Sequence, residues 1–205
     1  HEPFEFPDGE ITLAEQPKQT VNNAVKYADH ALGEFFEKAQ KSDYWQNTLF
    51  LVVADHDTRV YGDELVPVSK FHIPGLILGS DIKPRTISAI SSQIDLAPTL
   101  LSLAGISAYL PMVGQDLSQP DVQPANRAMM QFGDNYGWLE QHINGPRLTV
   151  LHVDKSVKQF RYQSSSQSLA PIEGKPQPEH IRKVQAFAML PSILYQQRAY
   201  FVPRQ

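Results

Sequence analysis

The segment 49 to 59, LFLVVADHDTR, most restricts what this chain can fold into. Leu49, Phe50, Leu51, Val52, Val53 and Ala54 run without a break into Asp55, His56 and Asp57. A solvated strand would alternate polar and apolar residues, so this continuous run predicts a strand over 48 to 54 that is buried on both faces. In an open α/β sheet, ligands bind outside the carboxyl ends of the strands, which is where Asp55 and His56 fall. A carboxylate oxygen beside an imidazole nitrogen suits a borderline divalent cation such as Zn²⁺ or Mn²⁺. Taken alone, the dipeptide leaves a second reading open: Asp55 caps the next turn and His56 is a surface residue.

The neighbouring sequence supplies what a sheet of this kind needs. From Thr20 to about Lys41, Val21, Val25, Ala28, Leu32, Phe35, Phe36 and Ala39 recur at helical spacing with charged residues between them, and Thr20 is placed to cap the helix. A second short apolar run, Pro74 to Leu78, ends at Gly79. A second helix fits DLAPTLLSLAG, with Asp95 as cap, Pro98 in the first turn and Gly105 as the closing residue. Apolar strands alternating with helices argue for a parallel sheet covered on both faces.

The remaining sequence has another character. AMMQFGD, YGWLEQH, RLTVLHV and KQFRYQ are short runs separated by Gly, Asn or Asp, the pattern of an antiparallel meander. QSSSQS and PIEGKPQP predict exposed loops. A last helix is expected from about Glu179 to Tyr200, interrupted or kinked at Pro191. This divides the chain into an α/β part, 1 to 120, and a small sheet-plus-helix subdomain, 121 to 205, expected to pack on it. Phe35, Phe36, Trp45 and Phe50 are expected as packing groups; Trp138 with Tyr136 is either core or the rim of a binding surface.

Composition narrows the function classes. A chain of 205 residues with 41% hydrophobic and 20% charged residues has ordinary globular composition. Its net charge of −4 and its lack of basic runs argue against nucleic acid. Without cysteine there are no disulfides, thiolate nucleophiles or Cys-ligated zinc. No window approaches the roughly 18 apolar residues of a membrane span.

Five blocks, HEPFEFPDG, AVKYADHALGEFF, FLVVADHD, KFHIPGLILG and SQIDLAPTLLSLAGI, stand in an order and spacing that resemble the lipoteichoic acid synthase and phosphoglycerol transferase family, a sulfatase-like branch of the alkaline phosphatase superfamily. The resemblance is to the C-terminal half of the catalytic domain, is strongest from His1 to about Asp116, and looks closest to the Gram-negative members. It implies an α/β fold with an alkaline phosphatase/sulfatase-like sheet and flanking helices, followed by the small antiparallel sheet and terminal helix. It also implies a single divalent metal, Mn²⁺ first and Zn²⁺ or Mg²⁺ as alternatives, held in part by Asp55 and His56. His1 matches the family's pocket histidine, and His72 in KFHIP is expected near the substrate pocket or, alternatively, as a buried core histidine. Asp57 departs from the small or aromatic residue many relatives carry there, and Thr58 and Arg59 are expected in a solvated loop.

The resemblance implies as well that the threonine nucleophile, an early acidic ligand and a substrate arginine lie upstream of His1, so no catalytic nucleophile is assigned within these residues. The implied partners are that N-terminal half, which in the family carries membrane helices, and a phospholipid or glycan phosphodiester substrate. The implied location is the inner membrane, with the catalytic domain in the periplasm. The implied reaction is phosphoglycerol transfer or phosphodiester hydrolysis, with these residues inactive alone. Sulfate ester hydrolysis and a non-catalytic binding or structural fragment are the alternatives. His30, His142, His152 and His180 show no ligand spacing and are expected as surface residues.

Overall fold

The computed structural model describes residues 2–57, 64–108, 110–119 and 125–199. The chain forms two compact units, one of residues 1–50 with 77–83 and the other of 51–76 with 84–205.

The first unit is built on helix α1, Val21–Ala39. Thr20 caps it as expected, its hydroxyl accepting from the Asn23 N–H at 3.3 Å. Asn23 is fully buried and organises the preceding loop. Its Oδ1 accepts from the Ala14 N–H at 2.7 Å, and its amide donates to the carbonyls of Glu15, Pro17 and Lys18 at 2.9, 3.2 and 3.0 Å. Phe6 in that loop stacks on Tyr27 of α1 with ring centres 5.1 Å apart. The expected aromatic packing is present: Phe35, Phe36, Tyr44 and Trp45 surround Phe50 at centroid distances of 5.2 to 6.5 Å. The apolar stripe of α1 is nonetheless not wholly covered, since Val21, Val25, Leu32 and Phe35 are exposed.

The opening apolar run forms strand β1, Phe50–Val53, and the second run forms β2, Gly75–Leu78; the two pair in a two-stranded sheet. Helix α2, Leu96–Leu103, follows, and Gly105 closes it at φ +70°, a conformation that suits glycine. Asp95 precedes α2 as expected, but its carboxylate does not cap that helix. It accepts instead from the Ser92 and Gln115 N–H groups at 2.8 and 2.9 Å and from both terminal nitrogens of Arg127 at 2.7 and 2.8 Å. Asp95 and Arg127 are both buried, so this bidentate pair ties α2 to the strand that Arg127 begins. Gly114 allows the segment carrying Gln115 to approach, because a Cβ there would stand 1.9 Å from the Ile94 carbonyl oxygen.

The predicted meander is a five-stranded antiparallel sheet in sequential order: β3 Arg127–Phe132, β4 Asn135–Glu140, β5 Arg147–Leu151, β6 Val157–Gln163 and β7 Ser168–Pro171. Strand β7 takes its first residue, Ser168, and its last, Pro171, from the two segments predicted as loops and pairs Leu169 with Tyr162; Pro171 is tolerated because β7 is an edge strand. Period-two alternation gives the sheet two buried faces. Met130, Leu139, Leu148 and Val150 pack with Val66 and Val68 on one. Trp138 and Thr149, opposite each other in register, lie on the other, where helix α3, Pro178–Gln196, packs on β4 and β5. Trp138 is therefore core, its ring centre 4.4 Å from that of Phe187 in α3. Pro191 sits inside α3 without ending it.

Candidate metal centre at a strand end

The strand predicted to end in a ligand pair does end there. Beyond β1 the Ala54 N–H still donates to the Pro74 carbonyl at 3.3 Å. The Gln93 side-chain amide donates to the carbonyls of Ala54 and Asp55 at 3.1 and 3.0 Å, fixing the corner at which the chain leaves the strand. Asp55 then turns back on its own backbone, its Oδ1 accepting from the His56 N–H at 2.9 Å. Its other oxygen, Oδ2, lies 3.5 Å from His56 Nε2.

The ring state of His56 follows from its second nitrogen. Nδ1 lies 2.6 Å from the Asp57 carbonyl oxygen, which can only accept, so Nδ1 carries the hydrogen, and in the neutral form of the ring, the form a metal binds, Nε2 presents a lone pair. A lone pair on nitrogen and a carboxylate oxygen therefore face each other across 3.5 Å. Two ligands bonded at about 2.1 Å to a tetrahedral cation stand about 3.4 Å apart, so the pair fits two corners of a metal site. The Asp57 carbonyl is the outer partner that such a histidine needs to hold its tautomer and orientation. Both side chains are exposed, Asp55 at 88% and His56 at 59%, which leaves the remaining coordination positions open.

The other residues expected at the site divide into two groups. His1, Thr58 and Arg59 lie outside the described residues. His72 follows a short 3-10 helix, Val68–Phe71, and is exposed, so the alternative of a buried core histidine does not hold. Lys70 in that turn reaches Asp57, Nζ to Oδ2 at 3.6 Å, which brings the segment carrying His72 beside the Asp55–Asp57 corner.

A second carboxylate–imidazole cluster was not legible in the sequence. Glu140 Oε1 lies 3.0 Å from His142 Nε2 and 3.4 Å from His180 Nε2, while Oε2 accepts from Trp138 Nε1 at 3.0 Å and from the Lys183 ammonium at 3.3 Å. Glu140 and His180 are buried and His142 is partly so, which corrects the expectation that these histidines are surface residues. Burial pushes the Glu140 carboxyl up, yet the hydrogen bonds from Trp138 and His142 and the charge of Lys183 together hold it below the usual carboxylate value. Burial pushes the His180 ring below its ordinary value despite the nearby Glu140 charge. Two sequence signals put these residues on common faces of their own elements, though not against one another. Trp138, Glu140 and His142 alternate at period two, and His180, Val184 and Phe187 fall at i, i+4 and i+7 on one face of α3.

Comparison with known proteins supplies the family. The sulfatase family profile matches residues 2–106, which contain β1, β2, α1, α2 and the Asp55–His56 corner. The chain belongs to the sulfatase family. It is 24% identical over 140 residues to Arylsulfatase K of Gallus gallus, an alignment covering 65% of this chain and 26% of that protein. It is 27% identical over 154 residues to the lipoteichoic acid synthase-like protein YvgJ of Bacillus subtilis, covering 60% of this chain and 24% of that one. A crystal structure of a protein in the alkaline phosphatase superfamily from Vibrio parahaemolyticus superposes with a TM-score of 0.88 at 45% identity, over 98% of this chain and 48% of that chain. The mixed α/β fold is thus that of the alkaline phosphatase superfamily. The chain spans about a quarter of the curated relatives it matches and 48% of the solved chain.

Proposed function

We propose that these residues form part of a metal-assisted ester-transfer domain acting as a phosphoglycerol transferase or phosphodiester hydrolase. The observation that carries this reading is the Asp55–His56 pair, two donor atoms 3.5 Å apart at the end of a strand inside the family-matched segment. Asp55 and His56 would hold a divalent cation, Mn²⁺ first, together with ligands from an N-terminal half that also supplies a threonine nucleophile. When bound, such a cation supplies Lewis acidity at a phosphoryl oxygen and at the attacking hydroxyl. The Asp57 carbonyl holds the His56 ring through Nδ1, and Gln93 holds the backbone beneath both ligands. His72 and His1 would bind the phosphate or its glycerol substituent. The buried Asn23 amide anchors the loop of residues 14–18 that leads into α1.

The similarity to the lipoteichoic acid synthase-like YvgJ supports the phosphoglycerol reading and, with it, an extracytoplasmic catalytic domain on a membrane-anchored protein. Among the described residues no helix is long and apolar enough to cross a membrane. The exposed apolar stripe of α1 supports the N-terminal half as a partner, since it offers a face to cover. The similarity to Arylsulfatase K favours a second reading, sulfate ester hydrolysis. Turnover of phosphatidylglycerol, a simple phosphodiester and an aryl sulfate by the full-length protein with Mn²⁺ separates the two. Preference for either phosphodiester is expected, and preference for the aryl sulfate overturns the phosphoglycerol reading.

A further inference from the structure

We propose that Glu140, His142 and His180 form a second metal site, separate in its ligands from Asp55 and His56, that takes Zn²⁺ and fastens helix α3 to the sheet. The three residues come from the end of β4, the turn after it and the first helical turn of α3, and their ligand atoms all lie within 4.8 Å of one another. The two edges centred on Glu140 Oε1, 3.0 and 3.4 Å, bracket the roughly 3.3 Å that separates ligands bonded at about 2.0–2.1 Å to tetrahedral zinc. Two imidazoles and one carboxylate are a donor set that zinc accepts.

The two oxygens of Glu140 are not equivalent. Oε2 is held by the Trp138 indole N–H, which does not ionise, and by the Lys183 ammonium, itself shared with Glu179 at 3.2 Å. Oε1 is left facing two imidazole nitrogens, whose hydrogens are exchangeable for a metal. That is the arrangement of a monodentate carboxylate ligand steadied by outer donors.

An independent sign comes from His180. Its side chain is 8% exposed, and its Nδ1 is buried with no hydrogen-bond partner among the described residues. A buried unpaired nitrogen costs free energy, and a 3.4 Å approach at Nε2, longer than usual hydrogen bonds, offsets little of it. A cation bound at Nε2 gives this buried ring the strong polar partner that the 3.4 Å approach does not supply, while Nδ1 keeps no partner among the described residues. His142, 26% exposed, lies on the side where water would complete a fourth position. The benefit to the fold is local: the Gln177 side chain makes no cap hydrogen bond to α3, so a metal bridging His180 to β4 pins the turn that lacks a cap.

The test uses the full-length protein with Asp55→Ala and His56→Ala, so that the strand-end pair is removed, and with Trp45→Phe, so that Trp138 is the one tryptophan left within these 205 residues. Co²⁺ is titrated while indole fluorescence and visible absorption are followed. Saturable quenching of Trp138 at one equivalent, a tetrahedral Co²⁺ absorption band, and reversal of both by Zn²⁺ are expected. His142→Ala, chosen because its side chain is partly exposed and tolerates truncation, should weaken binding by at least about tenfold, whereas His30→Ala should not change it. Absence of saturable quenching, or equal affinity in the His142→Ala protein, overturns the proposal. A circular dichroism spectrum matching the parent confirms that any loss in the variant is not unfolding.

Discussion

Two carboxylate–imidazole groupings in this chain have similar spacing and opposite surroundings. Asp55 and His56 stand 3.5 Å apart at 88% and 59% exposure, whereas Glu140 stands 3.0 and 3.4 Å from His142 and His180 with exposures of 10%, 26% and 8%. The first is adjacent in sequence and needs only a strand end to aim it. The second is assembled by a strand, a turn and a helix, and depends on the whole sheet to exist. Exposed ligands leave open positions for chemistry and contribute little to stability; buried ones are entangled with the fold. Substitutions should therefore separate the two groupings by what each one damages.

The largest expected loss calibrates what a buried carboxylate is worth with no chemistry attached. Arg127→Met leaves Asp95 buried with two backbone N–H donors but without its bidentate cation. Removing one partner of a buried pair costs about 3–5 kcal/mol, and urea unfolding of the full-length protein should show a loss of that order. A loss under about 1 kcal/mol would place the pair among surface bridges and contradict its burial.

Glu140→Ala comes next. In metal-free protein it orphans the buried Trp138 indole N–H and withdraws the partner of His142 and Lys183, so a loss of about 1–3 kcal/mol is expected. The same unfolding measurement in EDTA checks it. A neutral result would show that the cluster is no more entangled with the fold than Asp55–His56 is, and the comparison would fail.

Why one grouping was legible and the other not is a matter of range. The Asp55–His56 corner, the Thr20 cap and the Gly105 stop are each set by a few consecutive residues, and the strands of the meander by their alternation, so propensity and spacing suffice. Asp95 shows where that reasoning ends: its position before α2 predicts a cap, but Arg127, 32 residues on, supplies a stronger partner and takes the carboxylate. His180 and Glu140 are 40 residues apart, and only the docking of α3 on β4 brings them together. The stripe of α1 failed in the opposite sense. Its periodicity predicts a buried face, and burial depends on what covers it rather than on the pattern.

Asp116, partly buried, lies between the extremes and gives a pH-dependent effect of smaller size. Burial pushes its carboxyl up, but the hydroxyls of Ser102 and Ser118, the Ser118 N–H and the Gln119 amide outweigh it and hold the group below its ordinary value of 3.8. A carboxyl depressed in the folded state contributes stability above its unfolded pKa and loses it as pH falls through the folded one. Ser118→Ala should therefore lower stability at neutral pH slightly, and the difference from the parent should shrink below pH 3.8, as thermal melts across that range would show. A difference that grows on acidification would reverse the sign and refute the assignment.

The smallest expected effect on stability is at the strand end, and it is the most informative about function. Asp55→Ala removes an exposed carboxylate whose local contacts are one backbone N–H and the facing His56 ring, and surface changes of this kind usually stay within about 0.5 kcal/mol. If the pair holds the metal, the same variant should lose bound Mn²⁺ and with it nearly all turnover of a phosphodiester. His56→Ala should behave alike. Asp57→Ala should spare much more of both, because the Asp57 group that steadies His56 is its backbone carbonyl, which the substitution retains. Inductively coupled plasma measurement of metal, urea unfolding and phosphodiester turnover on the three proteins give the pattern. Retention of full metal content in Asp55→Ala with unchanged turnover would make the residue a turn cap, and the functional weight placed on this corner would then have to be withdrawn.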